Sequence, residues 1–251
     1  MKVAVFIPAY EAESTIEHVF QRIPADIYEM VSEILIQDDA SRDGTFRVAQ
    51  RLASEFEKVT AIRNECNLGY GGTQKKAYRY CLDRGHDVIV MLHSDGQYAP
   101  ECLGTMISPL LAGTADIVLG SRILGHPIRG GMPLYKWLGN RLLTILINAV
   151  LRLHLTDYHT GYTSFTRKAL QAIQFDTCGD GHEISTEILI RAQREKLHII
   201  EVAVPTYYGA GSRSITLQTS LKYGLAVASM LIGEILLQQH SGRSSKNKEL
   251  Y

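Results

Sequence analysis

Short apolar runs that alternate with helical segments constrain this chain more than any other feature. The runs cover residues 3–7, 33–37, 59–63, 88–92 and 116–120. Between them the apolar spacing becomes helical, over residues 14–22, 45–56, 72–83 and 100–111. Ser14 is the expected N-cap of the first helix, with Glu17 as its capping-box partner. Strands apolar on both faces and separated by helices predict an α/β fold with a mostly parallel, doubly wound sheet and helices on both faces. Such sheets bind ligands beyond the carboxyl ends of their strands. The polar clusters of this chain fall there: 38–41, 93–97 and 120–122.

The second half is less regular. Residues 123–133 are rich in Gly and Pro and read as a mobile loop. Helices are expected over 134–153 and 184–195, a short strand over 161–165, and a strand over 199–204 that Pro205 stops. A Gly-rich loop follows at 207–214. With no repeat and no clean linker, residues 1–216 read as one domain. An apolar or amphipathic helix at 217–240 and a disordered polar tail at 241–251 complete the chain. No uninterrupted apolar run reaches the ~18 residues of a membrane-spanning helix. Arg141 and Arg152 interrupt one long apolar stretch, and Glu234 lies near the end of another. These stretches are expected to pack on the core or to lie on a membrane surface.

Lys plus Arg and Asp plus Glu both number 26, which argues against a nucleic-acid binder. The balance is uneven along the chain: residues 1–125 hold 12 basic and 17 acidic side chains, and 126–251 hold 14 and 9. A basic second half fits contact with phosphate or an anionic surface, or simply a solvated helix face. The cysteines at 66, 81, 102 and 178 have neither zinc-site spacing nor the density of a disulfide scaffold. A reduced, cytoplasmic chain is expected, with peripheral contact at the cytoplasmic membrane face.

Four motifs carry the chemistry. Adjacent Asp38 and Asp39 repel each other unless each is bound. One is expected to meet a ribose or base, the other to cap the turn or pair with a cation. In His93-Ser94-Asp95-Gly96-Gln97, a carboxylate and a carboxamide two residues apart can reach one hard cation, Mg²⁺ or Mn²⁺. Gly69-Tyr70-Gly71-Gly72 opens a helix bearing Lys75 and Lys76. It is either a phosphate-binding turn or a site of close packing, and is not a Walker A loop. Arg122 closes the fifth strand, where a guanidinium suits phosphate.

Together these motifs resemble the family 2 glycosyltransferases of the GT-A fold. The match rests on residues 7–13, Asp38-Asp39-Ala40-Ser41 with Asp43-Gly44-Thr45, residues 67–71, Asp95-Gly96-Gln97 and Gly120-Ser121-Arg122. Thr160-Gly161-Tyr162 and residues 201–205 are similar to the polyprenyl-phosphate sugar transferase branch, whose best-known members are dolichyl-phosphate mannosyltransferases. The resemblance implies an inverting hexosyltransferase that uses a nucleotide-sugar donor, GDP- or UDP-linked, and a divalent metal. Pro8, Tyr10, Glu11, Gln37 and Asp39 would line the base and ribose. Ser94, Asp95 and Gln97 would meet the metal and diphosphate. His93, a further candidate metal ligand, stands at the first place of the family's Asp-x-Asp. Arg122 and Arg213 would face phosphates.

The expected acceptor is a polyprenyl or dolichyl phosphate, already a nucleophilic anion. A saccharide hydroxyl would instead require a carboxylate base, with Asp157, Asp180, Glu183 and Glu187 as candidates. A nucleotide-sugar binding module without turnover is the third reading, because His93 carries no fixed negative charge.

Overall fold

The computed structural model describes residues 1–208 and 217–248. A seven-stranded sheet has the order β3-β2-β1-β4-β6-β5-β7. Its strands are β1 (Val3–Ala9), β2 (Glu33–Asp38), β3 (Val59–Arg63), β4 (Val88–Met91), β5 (Ile117–Ser121), β6 (Thr163–Thr166) and β7 (Ile199–Ala203). The helices are α1 (Ile16–Gln21), α2 (Ala25–Met30), α3 (Thr45–Glu55), α4 (Gly69–Asp83), α5 (Leu103–Leu111), α6 (Leu134–Leu151), α7 (Arg167–Ile173), α8 (Ile184–Arg194) and α9 (Leu217–Lys248).

The parallel part forms as expected. β1 pairs in parallel with β2 and β4, β2 with β3, and β5 with β7. β6 is antiparallel to both β4 and β5, so the sheet is mixed at that point. Side chains alternate across the pleat. Val3, Val5 and Ile7 of β1 join Ile16, Val19 and Phe20 of α1 in one core. Ala4 and Phe6 enter the opposite core with Tyr78 of α4, Ile147 of α6 and Ile188 of α8. The Tyr78 ring meets Phe6, Phe165 and Phe175 edge-on at 5.4–5.6 Å, a favoured aromatic geometry.

Several expectations need correction. The first helix begins at Ile16, and its N-cap Thr15 makes no side-chain cap bond, so the Ser14–Glu17 capping box does not form. The chain's local bonds run instead from the Thr15 and Ile16 N–H groups to the Ala12 carbonyl, at 3.1 and 3.0 Å. Residues 123–133 pack tightly against the segment after β7. A side chain at Gly125 would strike the Val204 carbonyl at 2.0 Å, and one at Gly130 the Thr206 carbonyl at 1.7 Å. The last helix continues to Lys248, beyond the start expected for a disordered tail. Nothing in 241–248 breaks a helix as Pro would. Residues 249–251 of that tail lie outside the described residues.

α6 shows two faces. Asn140, Thr144, Ile147 and Leu151 point inward, while Leu134, Leu138, Leu142 and Ile145 are exposed. α9 packs against α6. It buries Val227, Leu231 and Glu234 and exposes Leu225, Ile232 and Ile235. No helix among the described residues is long and apolar enough to cross a membrane.

Candidate active site

A cavity of about 780 Å³ opens over the carboxyl ends of the strands, where a doubly wound sheet is expected to bind. The strand order sets the order of groups across it. Asp39 follows β2, Pro8 and Ala9 end β1 with Tyr10 just after, and His93, Ser94, Asp95 and Gln97 follow β4. Gly161 precedes β6, and Arg122 follows β5. α6 and α9 close the far side with Lys136, Asn140, Leu143, Thr219 and Tyr223.

The paired aspartates divide their work. Asp38 is fully buried; its carboxylate accepts from the Ser41 N–H at 3.3 Å and lies 3.2 Å from Arg63 Nε. Asp39 reaches the cavity. Its Oδ1 accepts from Leu68 N at 2.8 Å and Asn64 Nδ2 at 2.9 Å, and its Oδ2 from Gly69 N at 3.0 Å. The positive end of α4 therefore holds this carboxylate, and of the two readings of the Gly-rich turn the contacts favour close packing over a phosphate-binding turn. Gly71 serves packing: its N–H donates to the Asp180 carbonyl at 2.8 Å, and a Cβ there would lie 2.7 Å from the same backbone group.

Two residues expected at the base and ribose do not line the cavity. Gln37 is buried one pleat below Asp39, and its Nε2 donates to Asn64 Oδ1 at 2.8 Å. It supports Asn64, which in turn orients Asp39. Glu11 takes a left-handed backbone (φ 46°), and its N–H donates to Ser41 Oγ at 2.8 Å. Arg213 lies outside the described residues.

Asp95 and Gln97 share one turn, in which Asp95 Oδ1 accepts from Gln97 N at 3.0 Å and Gly96 supplies φ 70°. Carboxylate and carboxamide oxygens form a hard donor pair that fits Mg²⁺ or Mn²⁺ with other ligands from phosphate and water. Among the described residues no group of three or more His, Cys, Asp or Glu is placed to hold a metal by itself. The His93 ring is packed between Tyr70 and Tyr98. Its Nε2 lies 3.5 Å from Tyr70 Oη, and burial lowers its pKa against the pull of Asp95. A Cβ on Gly161 would meet that Nε2 at 2.2 Å. Gly161→Ala is expected to cost about 1–3 kcal/mol through this overpacking. His93→Ala in the same chain should recover most of it, as read from denaturant midpoints.

Arg122 grips Asp157 with two bonds, Nε to Oδ2 at 2.7 Å and Nη2 to Oδ1 at 2.8 Å. Asn140 Nδ2 and the His159 N–H also donate to Asp157, at 2.9 and 3.2 Å. Burial alone would raise the Asp157 pKa; the Arg122 charge and these bonds hold it at about 2. Asp157 is therefore a poor general base. The other acids considered as bases are also absent from the cavity wall. Asp180 pairs with Lys75 at 2.6 Å, and Glu187 pairs with Arg191 at 2.5 Å. Glu183 stands at the N-cap of α8. Asp39 and Asp95 are the carboxylates among the described lining residues.

Asn64, Asn140 and His159 were not singled out from the sequence. A polar Asn140 on the inward face of an apolar helix was the available signal for one of them.

Relatives of known name agree with this architecture. The chain is 30% identical over 216 residues to a UDP-N-acetylglucosamine–dolichyl-phosphate N-acetylglucosaminyltransferase of Methanococcus voltae, covering 81% of this chain and 85% of that one. It is 30% identical over 209 residues to an undecaprenyl-phosphate mannosyltransferase of Micrococcus luteus, covering 81% and 83%. Among solved structures, glucosyl-3-phosphoglycerate synthase from Mycobacterium tuberculosis superposes with a TM-score of 0.68 at 19% identity, over 93% of this chain and 78% of that one. That likeness shows the GT-A fold. The model for "Glycosyl transferase family 2" matches residues 4–174. With that match laid over the strand-end cavity, the chain belongs to glycosyl transferase family 2.

Proposed function

We propose that this glycosyltransferase moves a sugar, with inversion, from a nucleoside diphosphate donor to a polyprenyl phosphate. The observation that carries the reading is the wall beyond Arg122. It presents the cations Arg122 and Lys136 beside Met132, Tyr135 and Leu143, whereas the two carboxylates among the described lining residues, Asp39 and Asp95, follow β2 and β4. A sugar hydroxyl needs a base to become a nucleophile; a phosphate oxygen does not. The relatives named for dolichyl and undecaprenyl phosphate support the same acceptor class. They are transferases, which weighs against a module without turnover.

In this reading Tyr10 and Asp39 take the base and ribose, and Pro8 shapes the floor beneath them. Asp95 and Gln97 would hold the divalent cation, which neutralises charge on the diphosphate as it leaves. The solved neighbour with Mn²⁺ and UDP supports a metal of this kind. Ser94 lies beside the diphosphate. His93, with Nε2 turned to Tyr70, is assigned to the wall around the sugar. The acceptor oxygen attacks the anomeric carbon as the bond to the diphosphate breaks on the opposite face. The chain's part is positioning and fixed positive charge.

The test is calorimetric titration with UDP-, GDP- and dTDP-sugars, with and without Mn²⁺, followed by turnover with farnesyl phosphate. Metal-dependent binding of one donor and transfer to the prenyl phosphate is the expected result. Donor binding with transfer only to sugar hydroxyls would overturn the acceptor assignment.

A lipid acceptor places the exposed apolar faces of α6 and α9 against the membrane surface, flanked by exposed Arg129 and Arg152. Leu142→Glu with Ile145→Glu is expected to lower binding to anionic phospholipid vesicles by about tenfold or more. Because both side chains are exposed, the melting temperature should hold; co-sedimentation and thermal unfolding check the two halves.

A further inference from the structure

Among the described lining residues, His159 sits in a built hydrogen-bonded setting. Its Nδ1 lies 2.5 Å from Tyr223 Oη on α9, and that oxygen lies 2.5 Å from Thr186 Oγ1 on α8. Its backbone N–H is tied to Asp157, the partner of Arg122. The ring lines the cavity, yet its Nε2 is buried and has no hydrogen-bond partner among the described residues. A buried polar atom left so is costly unless a ligand or a water meets it.

The bonding of the ring decides what Nε2 offers. Burial lowers its pKa to about 4, with Arg122 reinforcing and Asp157 opposing, so the ring is neutral near pH 7 and carries one N–H. An imidazole nitrogen is a better acceptor than an alcohol oxygen. The Tyr223 hydroxyl therefore donates to Nδ1 and accepts from the Thr186 hydroxyl, a chain of bonds running one way. The hydrogen of the ring is left on Nε2, and the ring lines the same cavity as Arg122 and Lys136.

We propose that His159 binds the acceptor phosphate through a neutral Nε2–H, and that Tyr223 is the positioning residue that fixes this tautomer. The proposal rests on the polyprenyl phosphate reading. It ties the seating of α9 to the acceptor: displacing Tyr223 releases the ring that meets the phosphate.

The experiment has separate arms. Turnover of the wild-type chain with farnesyl phosphate tests the acceptor reading; no turnover there overturns that reading and this assignment together. Given turnover, His159→Ala should raise KM for farnesyl phosphate by about tenfold or more, the value of a hydrogen bond to a charged group. Donor affinity by calorimetry should not move. His159→Gln, which can donate from a similar position, should recover part of the loss, and Tyr223→Phe should raise the same KM. Ring ¹⁵N spectra of the wild-type chain should show His159 as the Nε2–H tautomer, and Tyr223→Phe should perturb it. These spectra and the Gln and Phe variants decide the matter if His159→Ala fails to fold. An Nδ1–H tautomer, or an acceptor KM within about twofold of wild type in foldable variants, would overturn the proposal while leaving the acceptor reading intact.

Discussion

Asp95→Ala is expected to lower transfer by about a thousandfold, the upper range for losing one preorganised charge-stabilising group, and to leave the thermal midpoint almost unchanged. The contrast follows from where Asp95 sits. It follows β4 in a turn, is only partly buried, and lines the cavity. The turn keeps Gly96 at φ 70°, and the bond that the carboxylate accepts from the Gln97 N–H, at 3.0 Å, lies within that same turn. What is lost is the anionic oxygen that would hold the cation at the diphosphate. Turnover within a factor of a few of wild type would remove Asp95 from the metal site.

Asp157→Asn should do the reverse, with a large loss of stability. Asp157 is fully buried and bears the Arg122 guanidinium on both oxygens. Removing one charge of a buried pair strands the other and costs about 3–5 kcal/mol. In a chain of this size that is roughly a 10 °C fall in melting temperature. The pH dependence has a definite sign. The folded pKa of about 2 lies below the ordinary 3.8. The ionised carboxylate therefore contributes its full stability above the ordinary value, and that contribution fades as pH falls from about 4 to about 2. A shift of this size corresponds to about 2 kcal/mol. Urea unfolding at neutral pH and near pH 3 should show a smaller acid loss in the variant than in wild type. Equal acid losses would mean that Asp157 does not titrate in this window. Activity should fall as well, because Arg122 loses the clamp that aims it into the cavity.

The parallel strands were legible because a strand buried on both faces must be apolar throughout, as Val3–Ile7 and 88–92 are. The helices that were missed, α2 and α7, have six and seven residues, too few turns for a helical period to stand out. The antiparallel β6 was not foreseen because pairing direction is set by the path of the chain and not by composition. The two aspartates show both sides of the matter. Their adjacency alone required two different partners, and Arg63 and the cavity supply them. Gln37 shares the face of Asp39 but lies one pleat deeper, a depth that only the sheet fixes.

The sequence by itself determined the doubly wound plan and the edge at which chemistry occurs, because apolar runs and their polar ends are local properties of the chain. It also brought Asp39, Asp95, Gln97 and Arg122 forward as strand-end groups. Only the tertiary structure decided what each of them is bonded to. Asp157, a candidate base in the sequence, is locked by Arg122 just after β5 and Asn140 from α6. His159 is held by Tyr223 from 64 residues further along the chain. Burial and hydrogen bonding between distant segments set the charge and direction of such groups, and no local pattern encodes which distant segment arrives.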